Sequence, residues 1–197
     1  MSLGGAPSEQ LDRIASIQNA ASESAGSSFR VDLKPPATAR DIDRIESRLG
    51  SLLPTDVRDL FAAHDGCAIW IAPGVGFAGL ERSLHMHSTI RDLPLPRLSN
   101  GNRAIDANTF FPILDMDKVL LAVATSRGPR ELSSPLYLVD YEMDQLTIVA
   151  RSVGDFISYL LNELDEGNFE VAKNGPAWKQ DPLRFSRTMT PIGEASN

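Results

Sequence analysis

A chain of 197 residues with an ordinary hydrophobic share makes one domain and a short appendage, and would be crowded as two. It is long enough to bury roughly 70% of its unfolded surface, and its single cysteine, Cys67, excludes an intramolecular disulfide and a multi-thiolate zinc site. The formal net charge of −7 argues against nucleic acid or an anionic membrane as a direct ligand.

Residues 1–28 are polar and rich in Ala and Ser. Leu11, Ile14 and Ile17 line a short helix, but Ala25-Gly26-Ser27-Ser28 reads as a linker. This segment is expected to be a mobile or loosely docked arm. It has no signal-peptide core, and no apolar run in the chain approaches a membrane span, so the expected address is cytoplasmic. Phe29 to Leu33 alternates as a short edge strand would.

The segment from Leu33 to Gly66 predicts two amphipathic helices. Pro35 and Pro36 keep the chain extended, and Thr38 caps a helix with Asp41 three residues on. Ile42, Ile45 and Leu49 form its apolar stripe, and Gly50 supplies a left-handed stop. Pro54 opens the second helix, whose stripe is Val57, Leu60, Phe61 and His64. Leu49 and Leu53 close these stripes and are expected to be buried.

Ala68 to Ile71 and Val75 to Leu80 predict a hairpin around Pro73-Gly74. Ser83 is expected to cap a short helix carrying Leu84 and Ile90, and Leu93 to Asn102 reads as loop. Phe110–Leu114, Val119–Thr125, Leu136–Tyr141 and Leu146–Ala150 read as an antiparallel meander with turns at Asp115-Met116-Asp117 and Glu142-Met143-Asp144. The segment from Ser126 to Ser134 is long for a hairpin and is a candidate binding loop. Ser152 and Asp155 cap a last helix with the stripe Val153, Phe156, Ile157, Leu160, Leu161 and Leu164, stopped at Gly167. The tail 167–197 reads as irregular, with Trp178 and Phe185 as docking anchors. Together these elements predict an α+β fold, a mostly antiparallel sheet packed by two N-terminal helices and a closing C-terminal helix.

The order of motifs carries a resemblance. Pro36, Ile42, Ile45, Glu46, Leu49, Gly50, Leu53, Pro54, Leu60, Phe61 and Gly66 are followed by Phe110-Phe111-Pro112-Ile113, Pro135 to Asp140 and Ser152 to Leu160. Over residues 29–166 this set resembles the SUKH superfamily, which includes yeast cell-wall glucan synthesis regulators and bacterial toxin-immunity proteins. The resemblance implies a noncatalytic protein-binding domain. In the bacterial branch it implies an immunity protein that binds and neutralises a cognate toxin; the alternative is a regulatory scaffold.

The chemistry-bearing motifs lack their contexts. Gly74-Val75-Gly76-Phe77-Ala78-Gly79 matches a dinucleotide fingerprint, but no second strand of a βαβ unit follows. His85 and His87 would share a face only on a strand, and the third histidine, His64, lies elsewhere. Asp115 with Asp117, and Asp140 with Glu142, read as solvated turn formers. Cys67 follows a helix end, where nothing lowers a thiol pKa. No catalytic residue, cofactor or metal is expected.

What remains is charge. Between Asp140 and Glu170, eight carboxylates set against Arg151 carry the whole net charge. Glu163, Asp165 and Glu166 crowd a helix C-terminus, against the macrodipole. With Glu142 and Asp144 they are the candidate docking patch for a basic protein partner, such as a toxin domain.

Overall fold

Pro7 sits where a helix tolerates proline, and the helix that follows, α1 (Pro7–Ser24), opens with the Ala6 N–H donating to Glu9 Oε2 at 3.1 Å. The computed structural model describes residues 6–91, 107–116, 119–140, 145–172 and 175–179. In it Leu11, Ile14, Ala15, Gln18 and Ser22 of α1 are buried. Residues 7–24 are thus a core helix and not part of a loosely docked arm. Three of its buried positions, Gln10, Gln18 and Ser22, are polar, so the apolar stripe breaks off in the sequence. Gln18 Nε2 donates to the Ile71 carbonyl. Asn19 pairs with both backbone groups of Val31, at 2.8 and 3.1 Å. That side chain stands where a strand partner would, and the expected strand at Phe29–Leu33 is reduced to one bridge, Leu33 to Cys67.

The helix α2 (Ala39–Leu49) begins and ends as its caps dictate. Thr38 Oγ1 accepts from the Asp41 N–H at 3.2 Å, and Gly50 is left-handed at φ 66°. Thr38 also donates to the Asp41 carboxylate at 2.6 Å, which holds that carboxyl below its ordinary pKa. In α3 (Thr55–Ala63), Val57, Leu60 and Phe61 are buried. Leu53, just before it, is fully buried, whereas Leu49 is only half-buried, which corrects the expectation for Leu49.

Strands β1 (Trp70–Ala72) and β2 (Val75–Phe77) form the expected hairpin, with Gly74 at φ 72° in its turn. The next helix, α4 (Leu80–Arg91), starts three residues before Ser83, which is buried inside it. Its cap comes from far back in the chain: Asp65 Oδ1 accepts from the Leu80 N–H at 2.7 Å. Gly66 and Gly79 let the two backbones meet there. A Cβ on Gly66, at φ 88°, would stand 2.4 Å from the Gly79 nitrogen.

Strands β3 (Phe110–Met116), β4 (Val119–Ala124), β5 (Leu136–Asp140) and β6 (Gln145–Ala150) complete a six-stranded sheet in the order β1-β2-β3-β4-β5-β6, antiparallel throughout. Side chains alternate between two cores. Phe111, Leu121, Val123 and Leu136 pack with α1, α2, α3 and the closing helix α5 (Val153–Asp165). Phe110, Leu120, Ala122, Tyr137 and Val139 pack on Met86 and Ile90 of α4. A sheet covered on both faces explains why these strands read as nearly unbroken apolar runs. Pro112 sits at an irregularity of the β3–β4 register, where its missing N–H is tolerated.

The chain after α5 is not irregular throughout. Strands β7 (Phe169–Ala172) and β8 (Gly175–Trp178) pair as a separate ribbon. Trp178 is the expected anchor: its Nε1 donates to the Pro73 carbonyl at 3.1 Å, and its ring meets Phe169 edge-on at 4.6 Å. Phe185 lies outside the described residues. The fold is α+β, with helices on both faces of an antiparallel sheet.

Candidate partner-binding surface

The Ser152 hydroxyl starts α5 by accepting from the Asp155 N–H at 3.1 Å. Val153, Phe156, Ile157, Leu160 and Leu161 then bury one face. This rotation puts Glu163, Asp165 and Glu166 at the rim, half-buried to exposed. Gly167, at φ 72°, turns the chain so that Asn168 folds back on them. Asn168 Nδ2 donates to Glu163 Oε2 at 2.8 Å and to Glu166 Oε2 at 3.1 Å.

Asp165 has a cationic partner. Arg13 Nη2 of α1 reaches both of its carboxylate oxygens, at 3.2 and 3.0 Å. No base lies near these acids in sequence, but the fold supplies one for Asp165. Its partner lies 152 residues away in sequence, on a helix whose docking no local pattern marks. Asp155 is likewise paired, with Arg151 at 2.8 Å. Glu142 and Asp144, the other part of the candidate patch, lie outside the described residues.

A second polar cluster fixes the Ser126–Ser134 segment. Glu46 of α2 is 7% exposed and holds three donors. Arg130 Nη2 and Arg58 Nη1 reach its Oε2 at 3.1 and 2.8 Å, and the Leu53 N–H reaches its Oε1 at 2.9 Å. Arg130 also donates to the Leu53 carbonyl at 2.7 Å, and the Glu46 carboxylate beside it raises its pKa. The same segment caps α3: the N–H groups of Thr55 and Asp56 donate to the carbonyls of Glu131 and Leu132. The candidate binding loop is thus stapled through its middle, at Arg130, Glu131 and Leu132, and the Leu132 side chain is 81% exposed.

The remaining sequence candidates are dispersed. Gly74 to Gly79 form the β1–β2 turn, β2 and the approach to α4. The Cys67 thiol is buried, which raises its pKa, and it donates to the Ile69 carbonyl. His64 meets Asp12 at 3.2 Å, while His87 Nδ1 meets the Phe110 carbonyl at 2.6 Å. Asp115 pairs with Arg82, and Asp117 lies outside the described residues. Among the described residues no three His, Cys, Asp or Glu side chains gather as metal ligands. Nor is any described helix long and apolar enough to cross a membrane.

No protein-family model matches this sequence, and no curated protein matches it either.

Proposed function

We propose that the chain is a noncatalytic protein-binding domain of the SUKH type that acts in the cytoplasm as an immunity protein, occluding a basic toxin domain. The observation that carries the reading is the acidic rim at the end of α5. There Glu163 and Glu166 are oriented by Asn168 and backed by a buried apolar face. Carboxylates held in place by a neutral amide keep their charge and lose mobility, which favours docking of a cationic surface. The ordered motifs from Pro36 to Leu160 support the same reading. The residues singled out for chemistry lie on separate elements, which is consistent with binding as the activity.

The test is co-expression with the protein encoded by the neighbouring gene in a heterologous bacterium. The chain should restore growth that the neighbour arrests and should co-purify with it in a 1:1 complex. Arrest undiminished by the chain, with no complex formed, would contradict the proposal.

A further inference from the structure

We propose a second site, independent of the acidic rim: the groove over the β1–β2 hairpin binds a neutral saccharide. Trp70, Gly76 and Asp115 are cross-strand neighbours on β1, β2 and β3, so they stand in one row on the same side of the sheet. The middle residue has no side chain, and the row is notched there. Trp70 and Asp115 stand two strand spacings apart, about 9–10 Å. The notch opens into a groove of about 710 Å³, within the usual size of small-molecule sites.

The fold does not require this notch. Gly76 lies inside β2 and is not left-handed, and a Cβ there would make only ordinary contacts, 3.6 Å from the Asp115 carbonyl oxygen and 3.8 Å from the Trp70 indole. A glycine inside a strand weakens it and often marks where a ligand approaches the backbone closely. The side chains beside it are also left open. Of the two tryptophans, Trp178 is fixed by Phe169 and the Pro73 carbonyl, whereas Trp70 is 46% exposed. Ile69, which lines the same groove, is 49% exposed. These are two of the three large apolar side chains that stand exposed among the described residues.

The walls of the groove select the ligand class. A ring seated over Gly76 meets the indole on one side and the ion pair of Arg82 with Asp115 on the other. The two charges cancel, so a phosphate or carboxylate finds no unpaired cation among the described lining residues. A paired carboxylate and guanidinium still have lone pairs and N–H groups to spare, and a hydroxyl both accepts and donates. The negative face of the indole attracts weakly positive C–H groups. C–H groups on one side and hydroxyls on the other describe a sugar ring. A nucleobase stacked on the indole would turn a second π face, bare of hydrogen-bonding groups, towards the ion pair.

Isothermal titration of the full chain tests this, with maltotriose, cellotriose and N-acetylchitotriose as probes and adenosine as the stacking control. The expected result is saturable 1:1 binding of at least one trisaccharide, tighter than adenosine. Gly76→Val fills the notch and should weaken binding by about tenfold or more at an unchanged melting temperature. Trp70→Ala, at a half-exposed side chain, should weaken it as much and carries the same test if Gly76→Val fails to fold. Arg151→Gln, at a side chain 77% exposed and paired with Asp155, should leave it unchanged. Absence of saturable binding by all three sugars, tighter binding of adenosine, or binding indifferent to Gly76→Val and Trp70→Ala would each overturn the proposal.

Discussion

Glu46 shows how one side chain ties three segments together. Its carboxylate is shared by Arg58 of α3, Arg130 of the Ser126–Ser134 segment and the Leu53 backbone. Removing one partner of a buried ion pair costs about 3–5 kcal/mol. The two arginine side chains are 24% and 28% exposed, so Glu46→Gln belongs at the lower end, about 3 kcal/mol. A denaturant midpoint unchanged by Glu46→Gln would refute this role. Asp56 sets a pH dependence. Burial pushes its carboxyl up to about 6, against a lowering hydrogen bond from the Val57 N–H. Between its ordinary pKa of 3.8 and that value, the folded chain holds a proton that the unfolded chain has released. The stability this group contributes is therefore fully present below that window and falls as pH rises through it. Asp56→Asn should flatten the fall and raise the melting temperature at pH 7; an unchanged slope between pH 4 and 6 would contradict the assignment. The sequence marks Glu46 through its E-x-x-L-G motif, yet Arg130 stands 84 residues away, and no local pattern announces such a pair.

At the scale of elements, local signals were legible where the chain answers itself. Thr38 with Asp41, Ser152 with Asp155 and Gly50 act within a few residues, and α2 and α5 begin where those caps stand. Signals failed where the partner is distant. The cap of α4 is Asp65, supplied 15 residues upstream, whereas the nearest capping residue in sequence, Ser83, lies inside the helix. The helix α1 buries Gln18 and Ser22 through tertiary contacts that periodicity does not register. Its place in the core gives a clear test. Ile14 is 1% exposed, so Ile14→Ala should cost about 2–5 kcal/mol in chemical denaturation. A cost within error of zero would restore the picture of a loose arm. Leu53→Ala, at a fully buried site, should cost the same range and clearly more than Leu49→Ala at its half-buried one. Equal costs would contradict that placement.

For the whole molecule, the sheet with a core on each face accounts for both the continuous apolar runs and the need for α4 on the second face. The sequence predicted the meander and one helical layer but left α4 unassigned to a face, because an unbroken apolar strand does not say what covers each side. Charge placement is the other whole-molecule property, and it carries the functional proposal. Asp165 is committed to Arg13, so Glu163 and Glu166 are the acids to vary without disturbing α1. The most direct measurement is the association rate of the chain with the basic protein domain proposed as its partner, followed from low to high salt. The account predicts a rate that falls steeply with salt, and about tenfold or more at low salt on Glu163→Lys with Glu166→Lys, at unchanged melting temperature. An association rate indifferent to both salt and the double reversal would contradict it.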